Sequence, residues 1–129
     1  MITSLWIVAT YLEDLARRGV FVTYSEILAH FGLRKISVGH RWEDTELYTL
    51  FGQIDKQDRD AHRPLRTSSV VLTSKVKRAP VPGTGYFTVL CNYRGMPIPR
   101  GIHEKRRIHA SELRLLWEHY GFRRSDTPH

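Results

Sequence analysis

The residues that could do chemistry in this sequence are cations gathered in three places and one run of carboxylates. Arg34, Lys35, His40 and Arg41 form a basic connector that also holds Ser37 and Gly39. Lys75, Lys77 and Arg78 follow a valine-containing stretch, and Arg100, His103, Lys105, Arg106, Arg107 and His109 make the densest cluster. A guanidinium presents a planar fork that matches phosphate oxygens, and an ammonium adds a point charge. Each group is therefore a candidate phosphate contact, with Tyr93 near the last one able to stack on a base. Each also has a plainer use: a solvated loop, lysines guarding a strand edge, or a charge run before a helix. Glu43, Asp44 and Glu46 follow the first group directly and would repel phosphates from any helix beginning there.

The carboxylate run is Asp55, Asp58 and Asp60, followed by His62. Carboxylates three apart share a helix face and can hold magnesium, as in a metal-dependent nuclease. Their alternation with Lys56, Arg59 and Arg63 matches an exposed, salt-bridged helix end instead. The sequence thus predicts no catalytic residue, no metal and no cofactor, with the nuclease as the alternative use of this segment. Cys91 is the single cysteine, which excludes an internal disulfide and a multi-cysteine zinc site. It reads as a buried strand residue.

The elements that would position these groups follow from periodicity. Leu5, Val8, Ala9, Leu12, Leu15 and Ala16 recur at helical spacing, and Gly19 closes that helix. Thr23-Tyr24-Ser25-Glu26 is a capping box opening a second helix through Ile27, Leu28 and Phe31. Asp44 is expected to cap a third helix carrying Leu47, Leu50, Phe51 and Ile54, which Pro64 ends. A strand over about 67–76, a Pro/Gly loop and a returning strand through Tyr86, Phe87, Val89 and Leu90 then read as a hairpin. Residues 93–108 read as irregular, and Ala110, Leu113, Leu116, Trp117 and Tyr120 as a closing helix ended by Gly121. Trp6, Trp42 and Trp117 are expected to anchor the core, and His30 to lie on the surface.

The predicted fold class is α+β and winged-helix-like: three helices, a β-hairpin with a long basic loop, and a C-terminal helix, in one domain over 1–122 with a tail at 123–129. Gly19 to Ile27, the Pro64-Leu65 pair, the Val70-Val71 strand and the glycine turn before Tyr86 carry a resemblance. Residues 5–87 resemble the DNA-binding C-terminal domain of the alkylguanine alkyltransferases and their alkyltransferase-like relatives. The resemblance implies a helix-turn-helix scaffold and a DNA partner. It does not extend to alkyl transfer, because Arg66-Thr67-Ser68-Ser69 stands where that family carries its Pro-Cys-His-Arg nucleophile motif.

Charge distribution points the same way. The chain of 129 residues has a net charge of +7, and residues 67–129 hold 11 basic against 4 acidic side chains. Such an excess reads as a footprint for a polyanion. The expected function is non-catalytic binding of nucleic acid, DNA before RNA. The alternative is a protein-interaction module, such as a phage- or plasmid-encoded inhibitor docking on a nucleoprotein complex. Nothing in the sequence calls for a membrane, and a cytoplasmic location is expected.

Overall fold

A computed structural model describes residues 4–33, 41–72 and 80–122. Within them the chain forms α1 (Leu5–Arg18), β1 (Val22–Thr23), α2 (Tyr24–His30), a first 3₁₀ turn (Trp42–Asp44), α3 (Glu46–Asp60), a second 3₁₀ turn (Arg66–Ser69), β2 (Val70–Val71), α4 (Thr84–Arg94) and α5 (Ile102–Tyr120). Local chemistry explains the starts and stops. Ser4 caps α1, and Gly19 ends it in the left-handed region with the Phe122 ring over its Cα, so a side chain there meets both strain and a clash. The predicted capping box opens α2: Glu26 donates its amide to the Thr23 hydroxyl, and its carboxylate accepts from the Thr23 amide. Thr45, not Asp44, caps α3; Asp44 instead accepts from the Arg41 amide across the first 3₁₀ turn. At the far end of α3, His62 takes a left-handed conformation (φ 57°) and the Arg63 amide closes back on the Asp58 carbonyl.

The winged-helix expectation is overturned. The two short strands pair in parallel, Val22 with Val70 and Thr23 with Val71, so among the described residues β2 has β1 and not a returning strand beside it. The stretch read as the returning strand is α4. Its buried residues are Tyr86, Phe87, Leu90 and Cys91, a spacing that forms one helical face and would scatter over both faces of a strand. Gly95 ends α4 in the left-handed region. The expected strand over 67–76 is also cut back: residues 66–69 are a 3₁₀ turn, only Val70 and Val71 are extended as β2 among the described residues, and 73–76 lie outside them. The closing helix begins at Ile102 rather than near Ala110, so the cluster read as irregular is its first turns.

Three apolar clusters meet around the second 3₁₀ turn. Val8, Leu12, Leu15, Ile27, Leu28, Leu47, Phe51, Ile54 and Val70 knit α1, α2 and α3 together, with Trp42 packed against them. Leu65, Val81, Tyr86, Phe87, Leu90 and Ile108 join α4 to α5. Ala16, Leu113 and Leu116 dock α5 on α1, with Trp117 and Tyr120 alongside. Trp6 is not a core anchor, being 73% exposed.

Arg66, Thr67, Ser68 and Ser69 are all buried, where an unpaired polar group is costly, and of their side chains the Ser69 hydroxyl has no hydrogen-bond partner among the described residues. Asp58, fully buried, accepts from the Arg66 amide (2.9 Å), from Arg66 Nε (2.9 Å) and from Arg63 Nε (3.1 Å). The Arg66 guanidinium reaches on to Glu13 (2.8 Å) and Gln57 (3.1 Å), tying α1 to α3. Ser68 shares a hydrogen bond with the Tyr86 hydroxyl, and the His109 ring donates from Nε2 to the Ser68 carbonyl. Burial holds His109 below the usual histidine range, in keeping with a neutral ring. Glu112 accepts from the Leu65 amide and from Arg94, linking the turn to α4 and α5.

Candidate functional site

A cavity of about 890 Å³ lies between α2, α3 and the start of α4. That is within the range of sites for small organic ligands. Its wall carries five aromatic residues from four elements. Tyr24 comes from the first turn of α2, Trp42 from the first 3₁₀ turn, Tyr48 and Phe51 from successive turns of α3, and Tyr86 from α4. Trp42 stands edge-on to Tyr24 (ring centres 4.7 Å apart, planes at 64°) and to Phe51 (5.1 Å, 70°). The Tyr24 hydroxyl accepts the Gly83 amide at 3.0 Å, fastening the approach to α4 across the cavity edge. Burial raises its pKa to about 12, so it stays a neutral phenol.

The polar groups of the lining are unusual in their sign. Asp55 and Glu43 line the cavity, and no lysine, arginine or histidine does among the described residues. Asp55 is 7% exposed and its Oδ1 accepts from the Thr67 hydroxyl at 2.7 Å. Desolvation, reinforced by the nearby Asp58, pushes its pKa up to about 7 against the opposing pull of Thr67, Arg59 and Arg66. Glu43 sits at the exposed rim, with Arg41 Nε 3.9 Å away.

The structure separates the carboxylates read as one exposed run. Asp55 and Asp58 are buried on the core-facing stripe of α3, which corrects the exposed, salt-bridged reading for both. Only Asp60 behaves as expected, pairing with Lys56 on the surface at 2.7 Å. Asp58 is taken up by Arg63 and Arg66, and no group of three or more metal-ligating side chains assembles among the described residues. Cys91 is buried as expected, though in α4 and not in a strand, and burial pushes its thiol pKa up.

The predicted basic residues do not line the cavity. Arg41 is exposed and lies near Glu43 and Asp44. Arg100 lies just before α5, and Lys105, Arg106 and Arg107 lie in its first turns, where Lys105 sits over the Phe87 ring (5.8 Å) and Arg107 pairs with Glu104 (3.5 Å). Arg107 also borders a second, smaller cavity of about 140 Å³ between α4 and α5. Arg34, Lys35, His40, Lys75, Lys77 and Arg78 lie outside the described residues. The described residues carry 13 basic and 12 acidic side chains, whereas the remainder of the chain carries 7 and 1. The charge excess thus belongs almost wholly to segments 34–40, 73–79 and 123–129. The first of these rejoins the described chain at Arg41, next to Trp42 and Glu43 of the cavity wall. The second leaves it at Leu72, another wall residue, whose amide is bonded to the Val81 carbonyl at 2.9 Å.

No protein-family model, no curated protein and no solved structure matches the chain. No described helix is long and apolar enough to cross a membrane.

Proposed function

We propose that this chain binds nucleic acid without catalysing a reaction on it, and that the basic segments around residues 34–41 and 73–79 make the phosphate contacts. The observation that carries the reading is the charge partition. The described fold is nearly neutral, while 7 of the chain's 20 lysines and arginines, against a single acid, belong to segments 34–40, 73–79 and 123–129 outside it. Two of those segments adjoin described residues of the same cavity region, Arg41 beside Trp42 and Leu72 in the wall. The resemblance of the Gly19–Ile27 stretch to alkyltransferase-like proteins favours DNA over RNA. The acids Glu43, Asp44 and Glu46 at the start of α3 are exposed, which argues for contacts made by the basic segments and not by insertion of that helix. The test is an electrophoretic shift of random duplex and single-stranded DNA at low salt. Retarded complexes with duplex of any sequence support the reading.

A second reading has its own observation. Met96, Ile98, Ile102 and Leu115 are all exposed large apolar side chains (38–49%), and Met96 and Leu115 border the smaller cavity. Such a surface suits a protein partner. Absence of any DNA complex at low salt would favour it.

A further inference from the structure

We propose that the aromatic cavity is a binding site for a small organic ammonium ion, held by the aromatic wall that Tyr24, Trp42 and Phe51 form and ion-paired with Asp55. Three features of the cavity converge on that ligand. Tyr24, Trp42 and Phe51 pack on one another in T-shaped contacts, at 64° and 70°, and all three border the cavity, so its wall is a continuous aromatic cluster. Ring quadrupoles attract a cation, and most strongly where water is excluded. The charged groups of the lining are both carboxylates, which repels a phosphate or carboxylate ligand and favours a cation. Finally, Asp55 is 93% withdrawn from solvent while the described hydrogen bonds supply its carboxylate with one donor, Thr67. A buried carboxylate with a single neutral donor is left short of compensation that an ammonium would provide.

The groups around Asp55 set how this site responds to pH. On its own helix lie Asp58, which opposes its ionisation, and Arg59, which assists it; Arg66 of the second 3₁₀ turn assists as well. Tyr24 from α2 and Tyr86 from α4 line the same cavity as neutral phenols, both raised by burial. Asp58 and Arg66 are already engaged with each other, so Asp55 is the group left to change charge near neutrality. Raising the pH from 6 to 8 should therefore strengthen binding of a permanent cation by about tenfold, as Asp55 passes from mostly protonated to mostly ionised.

The site is independent of the nucleic-acid reading, because the described lining offers no cation for a phosphate, and either can fail alone. The experiment is a titration with choline and with its uncharged isostere 3,3-dimethylbutanol, followed by the indole N–H resonances of the protein. Trp42 lies in the wall, whereas Trp6 and Trp117 do not, so they serve as internal controls. A saturable shift of Trp42 with choline at millimolar concentration, at least about tenfold weaker with the isostere, is the expected result. Asp55→Asn should abolish the difference between the two ligands. Tyr48→Ala, at an exposed rim position that leaves the core intact, should weaken choline binding and leave the melting temperature close to wild type. Equal binding of choline and the isostere would overturn the proposal, as would an unchanged choline affinity in Asp55→Asn. A Trp42 shift caused by neutral nucleosides and not by choline would replace the cation with a flat base.

Discussion

Replacing Asp55 by asparagine should make the protein more stable at pH 8 and leave it nearly unchanged at pH 4. The substitution keeps shape and an acceptor oxygen for the Thr67 hydroxyl, and it removes a charge from a site that is 7% exposed. The folded-state pKa of Asp55 is raised from 3.8 to about 7. Below the unfolded value both states hold the proton, and Asp55 imposes no charge penalty. Between the two values the folded protein keeps a proton that the unfolded chain has lost, so stability falls as pH rises through that window and levels off above it. At about 1.4 kcal/mol per pH unit the full penalty approaches ~4 kcal/mol. The new amide hydrogens need acceptors of their own, so the gain in Asp55→Asn at pH 8 should be smaller, roughly 2–3 kcal/mol. For a chain of this size that is a rise in melting temperature on the order of 10 °C. Thermal denaturation followed by circular dichroism at pH 4 and pH 8 measures both ends. A variant equally or less stable than wild type at pH 8 would refute the argument that Asp55 is a buried charge without adequate compensation.

Two further substitutions test the frame. Asp58→Ala removes the fully buried acceptor of the Arg66 amide and Nε and of Arg63, leaving the guanidinium of Arg66 only Glu13 and Gln57, so it should cost about 3 kcal/mol by chemical denaturation. Thr23→Ala removes the hydroxyl half of the α2 capping box and should cost about 1 kcal/mol, leaving the helical circular dichroism of the folded protein almost unchanged.

The parts legible in the sequence are those whose signals are local. The capping box at Thr23–Glu26, the end of α1 at Gly19 and the stripe of Leu47, Phe51 and Ile54 each act within a turn or two, and each appears as predicted. The ambiguity lies in two apolar pairs, Tyr86-Phe87 and Val89-Leu90, a pattern that a strand and a helix can share. Arbitration needed to know that β2 pairs in parallel with β1, a contact between residues 48 positions apart. The early start of α5 was hidden for a different reason. His109 and Glu112 occupy core-facing positions beside Ile108 and Leu113, so a hydrophobic count sees a gap where the helix has a buried polar seam. Asp55 and Asp58 concealed themselves likewise: they continue the buried stripe of α3, yet charge alternation assigned them to solvent. The aromatic cavity was not visible at all, because its rings come from four separate elements.

The most direct test of nucleic-acid binding is the salt dependence of duplex DNA affinity, measured by fluorescence anisotropy for the wild type and for the triple variant Lys75→Ala, Lys77→Ala, Arg78→Ala. Each neutralised phosphate releases condensed counterion, and roughly 4–6 contacts predict a slope of log K on log salt near −4 to −5. The triple variant should flatten that slope by up to about 3 and weaken all sequences alike. No binding at the lowest salt, or an affinity that does not change with salt, would contradict the account.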